Sequence, residues 1–125
     1  MEAHLLAAQL AQFTGSITFT RHGLARSLLM TDGVAFLADA AGAHWLTDAI
    51  ASYQHEARAK AEAFQAWSLV VDASSRKAVL SMTDGNSPTQ IIRQEIDYTD
   101  FPLAEIVLWA IAEGEERVLM LPSEY

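Results

Sequence analysis

Between Phe64 and Tyr98 the chain alternates its side chains with a period of two, in three short runs separated by two polar turns. Trp67, Leu69 and Val71 fall on one side and Ser68, Val70 and Asp72 on the other, before a turn at Ala73-Ser74-Ser75. Lys77 to Thr83 returns as a partner run and ends at Asp84-Gly85-Asn86-Ser87-Pro88. In that turn Gly and Asn tolerate positive φ, and Pro cannot donate to a sheet ladder. Gln90 to Tyr98 then sets Ile92, Ile96 and Tyr98 against Arg93, Glu95 and Asp97. Successive side chains of a strand point to opposite faces, so this pattern requires three antiparallel strands with one face buried. A buried sheet face needs a cover, and the rest of the chain must supply it.

The first half has helical spacing. Leu6, Leu10 and Phe13, with Leu5 beside them, predict a helix from Glu2 to Phe13 that stops at Gly15. Ser16 to Arg21 alternates Ile17 and Phe19 with Thr18 and Thr20, His22-Gly23 breaks it, and the apolar run Ser27 to Thr31 completes a plausible hairpin. Asp32 is placed to cap the next helix, whose buried side begins with Val34, Phe36 and Leu37 and which Gly42 interrupts. Trp45, Leu46, Ala49, Ile50 and Tyr53 form the stripe of a further helix, expected to run to about Ala63 with i,i+4 charge pairs Glu56/Lys60 and Arg58/Glu62.

Leu103 to Ala112 fits either state. Leu103, Ile106, Val107, Ala110 and Ile111 have helical spacing, with Asp100-Phe101-Pro102 as a start and Gly114 as a stop, whereas Ile-Val-Leu-Trp suits a buried strand. A strand is preferred, because Arg117 to Leu121 needs a partner and Glu113 to Glu116 makes a hairpin turn. The expected fold is a single α+β domain over residues 1–125. Helices from the N-terminal half pack on a mostly antiparallel β-sheet formed largely by the C-terminal half.

Composition excludes several functions. The chain has no cysteine, which removes disulfides, thiolate metal sites and thiol catalysis. Eight basic against sixteen acidic residues give a net charge of -8, with the cations scattered, so direct nucleic-acid binding is not expected. No apolar run approaches the roughly 20 residues that span a bilayer, and Met-Glu-Ala-His lacks the basic start of a secretory signal. A cytoplasmic protein without membrane contact is expected. Hydrophobic residues nevertheless make up 51% of the sequence, high for so acidic a small chain, which hints at an interface and leaves a homodimer open.

Several phrases carry a resemblance: Thr31-Asp32-Gly33-Val34, Gly42-Ala43 followed by Trp45-Leu46 and Asp48, Phe64-Gln65 with Trp67, Asp84-Gly85-Asn86, Thr99-Asp100-Phe101-Pro102-Leu103, and the ending Leu121-Pro122-Ser123-Glu124-Tyr125. Together they resemble a small bacterial family of unknown function found on plasmids, phages and integrated elements. The resemblance covers nearly the whole chain and brings no catalytic residue with it. It implies a mobile-element setting and a role in dealing with host machinery. The chain departs from it in a longer turn at Glu113 to Arg117.

Two polar sets stand out. His44, Asp48 and His55 lie within roughly 40° of one another on a helix, but His44 and His55 are ~16 Å apart along it, too far to share an ion. Only His44 and Asp48 can meet, as an i,i+4 pair on the side away from Trp45, Leu46, Ile50 and Tyr53, where a solvated surface is the simpler reading. Arg21, His22 and Arg26 surround a bend whose amides and guanidinium groups suit a carboxylate or phosphate, although pairing of Arg21 and Arg26 with some of the sixteen acids is the simpler reading. No Gly-x-Ser-x-Gly elbow, glycine-rich phosphate loop or His-Glu-x-x-His is present. No cofactor and no metal are expected. The expected function is a non-enzymatic, partner-binding accessory protein of a mobile genetic element, an acidic inhibitor of a host defence or nucleic-acid-handling protein in an anti-CRISPR-like or other anti-defence role. Its partner is then a protein, basic by charge complementarity. A small anion or nucleotide binder or cryptic enzyme using Arg21, His22 and Arg26 is one alternative, and a structural homodimer is another.

Overall fold

A computed structural model describes every residue except Met1, Ser16, Ile17 and Leu24. In chain order the elements are α1 (Ala3–Leu10), β1 (Phe19–Arg21), β2 (Leu28–Thr31), α2 (Asp32–Ala40), α3 (His44–Tyr53), α4 (Ala57–Lys60), β3 (Phe64–Val71), β4 (Ala78–Thr83), β5 (Ile92–Ile96), β6 (Glu105–Glu113), β7 (Glu116–Met120) and a 3-10 turn at Pro122–Glu124. The seven strands form one sheet in the order β1-β2-β7-β6-β3-β4-β5. The β3-β4-β5 meander is antiparallel throughout, as its alternation requires. The fold is α+β, with the helices in the N-terminal half and most strands in the C-terminal half.

Residues 105–113 form a strand, not a helix, because β6 lies between β3 and β7 and satisfies both ladders. The Glu113–Glu116 hairpin turns at Gly114, whose φ of 64 suits glycine. β2 closes the sheet by pairing parallel to β7, the one parallel pair among the described strands. The expected first strand is described only from Thr18 onward, and its paired part is Phe19–Arg21, set antiparallel to β2. Ser16 and Ile17 lie outside the described residues.

Three local expectations need correction. Thr31, not Asp32, caps α2: its hydroxyl accepts the Val34 N–H at 3.3 Å, while Asp32 stands in the first helical turn. The helix begun at His44 ends at Tyr53 and does not reach Ala63, because the Gln54 side chain turns back to the Ile50 carbonyl (3.1 Å) and to Gln65 (2.9 Å). Glu56 is extended, and the single turn α4 then drops Ala59 into the core with 0% exposure, a burial that outweighs the helix propensity of the Ala-rich run. Arg58 accordingly pairs with Glu56 and the Ile91 carbonyl in place of Glu62.

The core lies between the helices and one sheet face. Leu6, Leu37, Leu46 and Ile50 from the helices meet Trp67, Leu69, Leu80, Met82, Leu108 and Leu119 from the strands, all essentially without exposure. Of the expected α3 stripe, Leu46 and Ile50 are fully buried, and Trp45, Ala49 and Tyr53 pack half-buried beside them. Tyr53 bonds Gln94 at 2.7 Å and lies 5.6 Å from the Trp67 ring, docking α3 onto the sheet. Phrases far apart in sequence converge at the chain end. Glu124 Oε1 accepts from the Thr31 hydroxyl (2.6 Å) and the Leu121 N–H (3.0 Å), and Oε2 accepts from the Gly33 N–H (3.1 Å).

Candidate functional site

The helices cover a single sheet face. Because period-two alternation sends half of each strand's side chains to the other face, the pairing registers determine what that face displays. Its rows across the strands are Leu29–Val118–Ile111–Phe64, Met120–Trp109–Ala66–Thr83, Val107–Ser68–Ser81–Arg93 and Glu105–Val70–Val79–Glu95. The first two rows are apolar across several strands, and the fourth is apolar at its centre with a carboxylate at each end. Phe19, at 48% exposure, continues the face onto β1, and Val70 is 49% exposed on β3.

An aromatic ladder crosses this face. The Phe64 and Trp109 rings are 5.2 Å apart, and Tyr125, 82% exposed, meets the Trp109 edge at 5.7 Å and an interplanar angle of 78°. The Asp84-Gly85-Asn86 turn bends over Phe64, where Gly85 has φ 85 and a Cβ would stand 2.7 Å from the ring. The Glu124 clamp fixes the chain end beside Trp109, so the ladder rests on backbone secured at both ends. Three aromatics in tilted and edge-on contact on a half-open face supply rigid, large contact area of the kind that anchors protein interfaces.

Acidic groups border the face. Arg21 pairs with Glu116 at 2.6 Å and Arg93 with Glu95 at 3.4 Å, which neutralises both arginines. Glu105 and Glu113 meet no cation among the described residues, and the border therefore carries surplus negative charge.

The two polar sets read from the sequence are divided differently in space. His22 is buried at 4% exposure, its Nδ1 accepts the Ala25 N–H at 3.0 Å, and its Nε2 meets Asp48 Oδ1 at 2.8 Å. With Nδ1 acting as acceptor, the ring proton sits on Nε2 and is donated to Asp48. Asp48 thus holds the β1–β2 connection against α3 and does not pair with His44, which turns to Asp39 at 2.9 Å on the exposed side. His55 lies beyond the end of α3. Arg21 also reaches the Arg26 carbonyl, and Arg26 itself occupies an exposed turn. One residue of each set has become half of a single latch. No group of three or more His, Asp or Glu among the described residues is arranged to hold a metal, and no helix there is long and apolar enough to cross a membrane.

Nothing local in the sequence marks Phe64, Trp109, Tyr125 and Val70 as one surface, although a signal exists. Ile106 to Ile111 is apolar at every position, so β6 must present hydrophobic side chains on both faces, and a chain with helices only in its first half covers one of them.

No curated protein matches the chain. Among solved structures, a crystal structure of a protein of unknown function from Enterococcus faecalis is similar at a TM-score of 0.58 and 18% identity. The match covers 86% of this chain and 98% of that one, and it shows a shared fold. Residues 4–125 match a family of unknown function, DUF6876, and the chain belongs to that family.

Proposed function

We propose that this protein is a non-enzymatic, partner-binding accessory protein of a mobile genetic element. It inhibits a host defence or nucleic-acid-handling protein by docking the uncovered sheet face onto it. The observation that carries this reading is the aromatic and aliphatic sheet face opposite α1–α4, where Phe19 and Val70 are about half exposed and Phe64, Trp109 and Ile111 are half-buried beside the Gly85 turn and Tyr125. Contiguous apolar surface rimmed by charge is what protein interfaces expose before they form. The mobile-element setting rests on the sequence resemblance.

The occupant is a protein presenting an apolar patch bordered by lysines and arginines. Unneutralised Glu105 and Glu113, and a net charge of -8, attract such a border and repel a phosphate backbone. The apolar rows supply the affinity, and the acidic border supplies orientation and approach rate. Cytoplasmic placement belongs to the same proposal, because host defence proteins act there.

Immobilised protein tests the reading in extracts of a bacterial host at rising ionic strength. A retained protein is expected to elute between about 0.1 and 0.5 M salt, where the screening length shrinks from ~10 Å to well under that. Absence of any salt-sensitive partner overturns the proposal. A dimer in light scattering that occludes the face would assign its cover to a second copy and overturn it as well.

A further inference from the structure

At the opposite side of the sheet, where the helix layer ends, a cleft of about 470 Å³ opens between α4 and the β6–β7 hairpin. A volume of this size accommodates a small metabolite. Arg117 lies on its floor, half-buried on the core side of β7, with Ala112 as its β6 partner. Its Nη1 donates to the carbonyls of Glu62 (2.7 Å) and Ala63 (3.4 Å), fixing the guanidinium plane. Nε and Nη2 donate to nothing among the described residues, and no carboxylate lies within ion-pair distance. In a chain with twice as many acids as bases, this half-buried cation is held by backbone carbonyls and by no carboxylate among the described residues. Burial also lowers the guanidinium pKa from its ordinary value, a penalty that an adjacent anion relieves.

Further features point the same way. Lys60, exposed and without an acidic partner among the described residues, lines the same cleft. Glu115 and Glu116 also line it, but the Glu116 carboxylate is paired with Arg21, leaving Glu115 as the one acid of the lining without a cation partner, against the two cations Lys60 and Arg117. The remaining lining includes the small residues Ala61, Ala63, Ala112 and Gly114.

We propose that this cleft binds a small molecule bearing a carboxylate or phosphate group, with the free Nε–H and Nη2–H of Arg117 gripping two of its oxygens and Lys60 closing over it. The fork geometry of guanidinium matches two oxygens of either group, and a lysine cannot reproduce it. The site is separate from the uncovered sheet face and stands or falls independently of it.

The test is titration of the ¹⁵N-labelled full chain with inorganic phosphate and, separately, with succinate, at constant ionic strength set by sodium chloride, following the Arg117 Nε resonance. Saturable shifts with either probe are expected, and the stronger of the two identifies the group recognised. Arg117→Lys keeps the charge and removes the fork, and it should weaken binding at least tenfold. Lys60→Glu, a substitution at an exposed position that leaves the Arg117 contacts intact, should do the same even if the Arg117 variant does not fold. Linear shifts matched by chloride, or saturable binding unchanged in Lys60→Glu, overturn the proposal.

Discussion

Glu124→Ala should be one of the most damaging single substitutions in this chain, despite lying one residue from its end. Glu124 is 9% exposed, and its carboxylate accepts from the Thr31 hydroxyl, the Leu121 N–H and the Gly33 N–H. Truncation leaves two backbone donors at the start of α2 and in the terminal turn without these acceptors, at about 1–3 kcal/mol each when buried. It also removes a negative charge from a helix N-terminus, about 0.3–1 kcal/mol. Water entering at the chain end offsets part of this, and a loss of roughly 3 kcal/mol results. With a urea slope of about 1–3 kcal/mol/M, the midpoint should fall by ~1.5 M, read from the fluorescence of the three tryptophans. Glu124→Gln should recover less than half, since both carboxylate oxygens are in use and its amide group would face a donor. Substituting the neighbouring exposed Ser123 by Ala should change nothing. A midpoint shift under ~0.3 M for Glu124→Ala, or full stability of Glu124→Gln, would refute the clamp.

Gly85→Ala should lower Tm by at least ~3 °C, because a φ of 85 strains alanine by about 1–3 kcal/mol and its Cβ would press the Phe64 ring from 2.7 Å; an unchanged melting curve would contradict this. Asp72, held by the Ser74 hydroxyl and amides, and Asp84, held by the Asn86 and Ser87 amides, both have carboxyl pKa values below the ordinary 3.8. A lowered native pKa stabilises the fold above the unfolded value, and that contribution disappears as pH falls through the native one. Both turns should therefore loosen below about pH 4, and Asp84→Asn should flatten the acid limb of the stability curve; carboxyl titration by NMR at or above 3.8 for both would be the contrary result.

What the sequence reveals follows from how locally each feature is encoded. The β3-β4-β5 meander is legible because each strand buries one face and each turn has its own chemistry at Asp72 and Asp84. The α3 stripe is legible for the same reason, but its end is not, since Gln54 meets Gln65 only once α3 and β3 are packed. Likewise β2 pairs parallel with β7 across most of the chain, and Glu124 reaches Thr31 over 93 residues, contacts with no local signature. His22 and Asp48 were each visible as polar residues of interest, yet their partnership required the hairpin and helix to meet. The uncovered face was hidden for a different reason. Phe64 and Trp109 look like core residues in sequence, and only the placement of α1–α4 on the other side leaves them half-exposed.

The proposed interface is the sheet face opposite α1–α4 and not the helix layer. Phe19 and Val70 on that face and Leu5 on α1 are equally exposed, at 48%, 49% and 49%, so serine at each removes comparable open apolar surface without disturbing the core. The decisive measurement is retention of the salt-labile partner by Phe19→Ser/Val70→Ser compared with Leu5→Ser, each confirmed folded by its melting curve. At least a tenfold loss of affinity, about 1.4 kcal/mol or more, is expected for the sheet-face double variant, with unchanged retention for Leu5→Ser. Equal retention by both variants, or loss confined to Leu5→Ser, would contradict it.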